Sequence, residues 1–196
     1  MYKRQVQEKH AHDYVSYVDK ASEKKVVSAL RKLLPEAGFI AEEGSAAYSD
    51  ETYCWVVDPL DGTTNYIHDN APYCVSIALR DKQSLLLGVV YEPCRDECFY
   101  AWKGGGAYVN GERLRVSLVS EPKDAFVVTE LPYNFEQYAR TGEHLIHELY
   151  GKVAGIRMNG SAALALCYVA AGRFDAWLEA FIGKWDFSAA ALMVLE

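Results

Sequence analysis

Hydrophobic and polar positions recur along this chain with two periods, helical near the start and end and strand-like between. Residues 1–18 are polar and basic, with Tyr14, Val15, Tyr17 and Val18 as the first apolar cluster. From Asp19 to Leu34 the spacing predicts a helix. Val26, Val27, Leu30, Leu33 and Leu34 share one face, and Lys24, Lys25, Arg31 and Lys32 take the other. Pro35 ends it. Gly38–Ala41 reads as a short strand that delivers Glu42 and Glu43 at its end. Tyr53 to Val57 is a β-branched and aromatic run of the kind that forms a buried strand. A period of two then predicts strands over Val75–Arg80, Leu85–Glu92, Glu97–Trp102 and the Tyr108–Val116 segment, whose Asn110-Gly111 pair marks a turn; together they make an antiparallel meander. The triple glycine 104–106 lacks the strand-to-helix context and the Lys-Ser/Thr of a phosphate loop, so it reads as a turn.

A second unit begins near Glu121. It contains strands at Phe126–Glu130, Val153–Met158 and Phe174–Leu178, and helices at Phe135–Tyr150, Ser161–Ala171 and, after Trp185-Asp186, Phe187–Leu195. Strict βαβ alternation is absent, so the class is α+β in layers. The chain divides into an N-terminal α+β unit over 1–120 and a C-terminal α/β unit over 121–196, packed as one catalytic domain. It stops inside an apolar helix, Ala189 to Leu195, without a cap.

Composition narrows the function. A formal charge of −7 over 196 residues argues against a nucleic-acid surface and suits an anionic substrate only where a cation mediates. No apolar run approaches the roughly 20 residues that span a bilayer, and the first residues lack the apolar core of a signal peptide. Five cysteines form no CxxC pair, which argues against a zinc site and fits reduced thiols in the cytoplasm.

The chemistry concentrates in YCWVVDPLDGTTNYIH, Tyr53 to His68. Asp58 and Asp61 stand at the end of the expected strand, where Pro59 should turn the chain. Gly62 permits close backbone approach, and Gly62, Thr63 and Thr64 can open a helix whose free N–H groups hold phosphate oxygens. Paired carboxylates there suit Mg²⁺. D-P-x-D-G by itself is also ordinary turn chemistry.

The whole stretch resembles the signature of the inositol monophosphatase family, D-P-[LI]-D-G-T-T-N-[FY]. AEEGS at 41–45, VSYVDKASEK at 15–24, GSAALALCYVAAGRFDAWLE at 160–179 and WDFSAAALMVLE at 185–196 resemble further motifs of that family. The resemblance covers residues 14–196. It implies a layered α-β-α-β-α sugar-phosphatase sandwich, truncated at both ends, since family members start earlier and continue past Glu196. It also implies Glu42, Asp58, the Leu60 carbonyl, Asp61 and Asp186 as ligands of two or three Mg²⁺ ions, with Glu42 among the catalytic groups. Thr63 with Asp19 would orient the attacking water; Asp19 could equally be a helix N-cap. Gly62, Thr63 and Thr64 would hold the phosphate, Gly160, Ser161 and Ala162 would add N–H groups near the substrate, and Glu179 would meet substrate hydroxyls. Independently of the resemblance, four carboxylates converge in an apolar fold only where cations neutralise them.

The implied activity is hydrolysis of a small polyol or sugar phosphate, inositol monophosphate above all, by a homodimer without membrane or nucleic-acid partners. Thr-Thr after the glycine separates the motif from the Ser-Ser of fructose bisphosphatases and the Thr-Lys of bisphosphate nucleotidases. Histidinol phosphatases share it. A non-catalytic metal-binding fragment and a two-carboxylate glycosidase are the alternatives. The 131–134 segment, which differs from the animal enzymes' substrate loop, leaves the polyol open. Asp175 reads as structural, and Trp55, Trp177 and Trp185 as core or as shields for the site.

Overall fold

The computed structural model describes residues 6–10, 13–131 and 135–196, so most of the 131–134 segment lies outside the described residues. A hairpin of β1 (Val6–His10) and β2 (Asp13–Ser16), which the polar composition did not reveal, leads into α1 (Tyr17–Leu33). The N-cap of α1 is Ser16, whose side chain accepts from the Val18 N–H at 3.1 Å. Asp19 is therefore not the N-cap; it sits at the third helical position and returns a bond to the Ser16 N–H at 2.8 Å, closing a capping box.

β3 (Gly38–Ala41) then pairs parallel to β4 (Cys54–Asp61), all eight residues of which are buried. The strand does not turn at Pro59 as expected. Opposite β5 (Cys74–Arg80), Asp58 faces Ser76 and Asp61 faces Cys74, so three steps on β4 match two on its partner. This bulge carries Pro59, beyond the last residues paired with β3, where no ladder N–H is required. Its consequence is chemical. Residues three apart in a regular strand point to opposite faces; one extra residue returns Asp58 and Asp61 to the same side. The turn falls at Gly62, followed by the five-residue helix α2 (Thr63–Ile67).

β6 (Leu85–Glu92), β7 (Glu97–Trp102), β8 (Gly106–Val109) and β9 (Glu112–Arg113) complete a seven-stranded sheet in the order β3-β4-β5-β6-β7-β8-β9, antiparallel from β4 onward. The glycine turn between β7 and β8 holds a carboxylate of the protein itself: the Gly104 and Gly106 N–H groups donate to Glu196 at 2.7 and 3.1 Å. After β10 (Phe126–Glu130) come α3 (Phe135–Leu149), β11 (Gly155–Arg157), α4 (Ala162–Ala170), β12 (Ala176–Glu179) and α5 (Lys184–Leu195). The three strands form a parallel sheet in the order β11-β10-β12.

The layers follow from which faces are apolar. One face of the large sheet packs Phe39, Trp55 and Val57 against Val27 and Leu30 of α1. Val56, Ala78, Val90 and Phe99 on the other face meet Leu164 and Tyr168 of α4 and Ala189 and Leu192 of α5. Contact is close enough that a Cβ on Gly88 would lie 2.4 Å from the Ala189 carbonyl oxygen. The small sheet lies beyond α4, and α3 meets the segment that follows β12 through Tyr138, stacked on Phe181 at 5.3 Å. The fold is thus an α-β-α-β-α sandwich. Residues from before and after position 120 share one core, because α5 returns to the large sheet. Among the described residues no helix is long and apolar enough to cross a membrane.

Candidate metal and phosphate site

Three carboxylates from two elements meet at the end of β4. Asp58 and Asp61 come from the strand and Asp186 from the first turn of α5, with ligand oxygens all within 4.8 Å of one another. Asp186 lies inside that helix, which begins two residues before it, rather than ahead of it as the sequence suggested. Each carboxylate is anchored by a backbone N–H: Asp58 by Leu60 at 2.9 Å, Asp61 by Ala163 at 2.8 Å, Asp186 by Gly183 at 2.6 Å. Burial pushes Asp58 well above the usual carboxylate range, and the charges of Glu42, Asp61 and Asp186 push it further, Glu42 most among them. Burial and then Asp186 raise Asp61 to about 7, against hydrogen bonds from Ser161 and Ala163 that lower it. Such repulsion is relieved by protons or by a cation, and an all-oxygen donor set of this kind fits a hard divalent cation.

Glu42, at the end of β3, stands beside this group, its own N–H donating to the Val57 carbonyl at 3.1 Å. Asp19, not the N-cap expected of it, is fully buried. One oxygen closes the capping box at the start of α1, and the other lies 2.8 Å from the Thr63 hydroxyl, which is also 3.0 Å from the Leu60 carbonyl. Gly62 takes φ 92° as N-cap of α2, and the first N–H groups of a helix have no partner within it. An added Cβ at Gly62 would lie 3.0 Å from the Pro72 carbonyl oxygen and 3.1 Å from that of Gly160. Gly62→Ala is therefore expected to cost about 1–2 kcal/mol from the left-handed backbone alone, a fall of about 2–8 °C in a thermal melt.

The 160–162 segment differs from expectation. Its donors turn inward: Gly160 N–H to Glu130 at 2.9 Å, the Ser161 hydroxyl to Asp61 at 2.6 Å, with Ser161 and Ala162 both buried. The positive end of α4 is spent on a buried carboxylate, where it matters most. Glu179, at the end of β12 and opposite Glu130, has one buried oxygen without a hydrogen-bond partner. Burial first, then the charges of Glu130, Asp61 and Asp186, raise it to about 8.

The sequence profile of the inositol monophosphatase family matches residues 2–196. The chain belongs to that family. It is 42% identical over 190 residues to the Nus factor SuhB of Escherichia coli K12, covering 96% of this chain and 71% of that protein. It is 40% identical over 197 residues to the inositol-1-monophosphatase of Rhizobium meliloti, covering 98% and 73%. The crystal structure of the extragenic suppressor protein SuhB from Bartonella henselae superposes with a TM-score of 0.93 at 40% identity, covering 98% of this chain and 74% of that one.

Other residues of this inositol monophosphatase-family site were not singled out from the sequence. Asn65 of α2 donates to the Pro72 and Asn159 carbonyls, both at 2.8 Å, tying the Gly62 turn to the start of α4. Glu130 accepts from the Asn159 and Gly160 N–H groups. Glu23, fully buried on α1, accepts from the loop after Glu42. Its spacing of four from Asp19 places both on one helix face, the signal that could have found it. Asp175 is structural, joined to the Ser117 hydroxyl and the Phe126 N–H. Trp55 packs under α1, and Trp177 and Trp185 pack against the main core.

Proposed function

We propose that the chain is a divalent-cation-dependent phosphomonoesterase acting on a small polyol or sugar phosphate, with inositol monophosphate as first candidate and Mg²⁺ as the cation. The observation that carries this is the convergence of Asp58, Asp61 and Asp186 beside the Gly62-Thr63-Thr64 turn. Glu42, Asp58, the Leu60 carbonyl, Asp61 and Asp186 are the proposed ligands of two or three ions. A bound Mg²⁺ supplies Lewis acidity and the positive charge that phosphoryl transfer to water needs.

The N–H groups of Gly62, Thr63 and Thr64 receive the phosphate oxygens in this reading. Thr63 donates to Asp19, which leaves its lone pairs to accept from the attacking water and gives that water's proton a route to a carboxylate. Water attacks phosphorus as the bond from phosphorus to the ester oxygen breaks, that oxygen leaves as an alkoxide and takes a proton from solvent water to become the alcohol, and no covalent enzyme intermediate is involved. Ser161 and Ala162 shape the substrate end by holding Asp61, Gly160 does so by holding Glu130, and the unpartnered oxygen of Glu179 suits a substrate hydroxyl. The name of the Rhizobium meliloti relative supports the inositol substrate.

Phosphate release from inositol 1-phosphate and from histidinol phosphate, with Mg²⁺ and with chelator, tests the reading. Release that needs Mg²⁺ supports it and ranks the substrates; no release from either by folded protein in Mg²⁺ sinks it. Relatives named Nus factor favour a second, compatible reading, a transcription-related role. Such a role would survive substitutions that remove only the chemistry.

A further inference from the structure

We infer that Glu23 is a positioning residue for Glu42, holding it in register with the carboxylates of β4. The inference rests on the proposed role of Glu42 as a metal ligand. Glu23 is 0% exposed, and among the described residues no cation pairs with it. Both its oxygens are used, one accepting the Glu43 N–H at 2.7 Å and the other the Ser45 N–H at 2.7 Å. A buried carboxylate held by two N–H groups makes strong, charge-assisted bonds, and losing it would leave two donors unsatisfied.

What those bonds fix is the root of Glu42. The peptide before it is pinned to β4, because the Glu42 N–H donates to the Val57 carbonyl at 3.1 Å. The peptide after it is pinned to α1, because the next N–H, that of Glu43, donates to Glu23. With both flanking peptides held, the backbone that carries Glu42 has little freedom. A loop glutamate would otherwise sample many positions relative to Asp58. The same helix face carries Asp19, four residues earlier, which meets Thr63. One rigid helix therefore references both the Glu42 loop and the Thr63 hydroxyl to the same frame. Substitutions of groups that orient metal ligands commonly weaken metal affinity about 10- to 100-fold.

The test is Mn²⁺ binding to the full chain, with free Mn²⁺ read by electron paramagnetic resonance, for the parent, Glu23→Gln, Glu42→Gln and the double variant. Melting temperatures in chelator are measured alongside. The expected result is that Glu23→Gln weakens Mn²⁺ binding about tenfold in protein that is still folded. In the Glu42→Gln background it should weaken binding no further, since a residue acting through another cannot act once that other is gone. Unchanged Mn²⁺ affinity in Glu23→Gln, whatever its melting temperature, or additive losses in the double variant, would overturn the inference and leave Glu23 a structural anchor. If Glu42→Gln alone leaves Mn²⁺ binding intact, the metal role of Glu42 fails and the inference falls with it, a distinct outcome. Should Glu23→Gln not fold, Ser45→Pro removes one of the two donors from the exposed loop side and carries the same expectation.

Discussion

Asp61→Asn is expected to reduce Mg²⁺-dependent phosphate release by about 10³-fold while leaving the cation-free protein at pH 8 as stable as the parent, or more so. The two effects have opposite signs because, in the proposed function, one group serves chemistry at the expense of stability. Asp61 accepts from the Ser161 hydroxyl and the Ala163 N–H through a single oxygen, and the carbonyl oxygen of asparagine can accept both. The remaining position becomes an uncharged amide, so the repulsion by Asp186 disappears. Above about pH 7, where the parent carboxyl is ionised, that repulsion is a net burden on the folded state. For catalysis the change removes a proposed anionic ligand where transition-state charge must be balanced, and losing such a contribution commonly costs about 10²–10³-fold, more when a metal is displaced with it. Phosphate release and a thermal melt in chelator check both halves. Release within tenfold of the parent would remove Asp61 from the chemistry, and a melt far below the parent would make it a structural residue.

The parts of this site legible in the sequence are those carried by local pattern. The apolar run into Asp58, the glycine at 62 and the helix after it are set by neighbours in the chain, and the structure brings Asp58 and Asp61 together there; Asp186, which only the family resemblance offered, joins them from α5. Pro59 misled, because proline normally ends a strand; only the pairing with β5 shows that a bulge absorbs it. Asp19 was legible as a helix-start residue but not in its place, since Ser16 competes for the cap and wins it. Glu23 was hidden among Lys24 and Lys25, where an acidic residue on a helix reads as solvated surface. Its burial depends on a loop twenty residues away. The inward turn of the 160–163 donors is likewise a tertiary fact. A helix start advertises free N–H groups, but whether a ligand or Asp61 receives them is decided by what packs opposite. The β1–β2 hairpin forms from a mostly polar stretch, with only Val6, Tyr14 and Val15 apolar, whose pairing leaves no periodic trace.

Cation-free protein is expected to lose stability as the pH rises from about 5 to about 8, and Mg²⁺ to restore it at the upper end. The folded state raises Asp61 to about 7 and Glu179 to about 8, and drives Asp58 upward as well, by burial and by mutual repulsion. In an unfolded chain these carboxyls titrate near about 4. Between those values the folded state holds more protons than the unfolded one, so stability falls with rising pH. It is complete below about pH 4 for these groups and is lost as pH passes through 7 and 8. Carboxylates that the fold holds below their usual range, such as Glu97 paired with Arg173, act with the opposite sign but at lower pH. In the proposed site Mg²⁺ would bind the deprotonated carboxylates of the folded state alone and compete with those protons, so its stabilisation should grow as the carboxyls ionise. At a hundredfold excess over Kd it amounts to about 2.7 kcal/mol, on the order of 5–10 °C for a chain of this size. Melting curves at pH 5 and pH 8, each in chelator and in Mg²⁺, decide it. A Mg²⁺ shift equal at both pH values would mean that the cation binds away from Asp58, Asp61 and Asp186, because only a site that exchanges protons for metal couples the two.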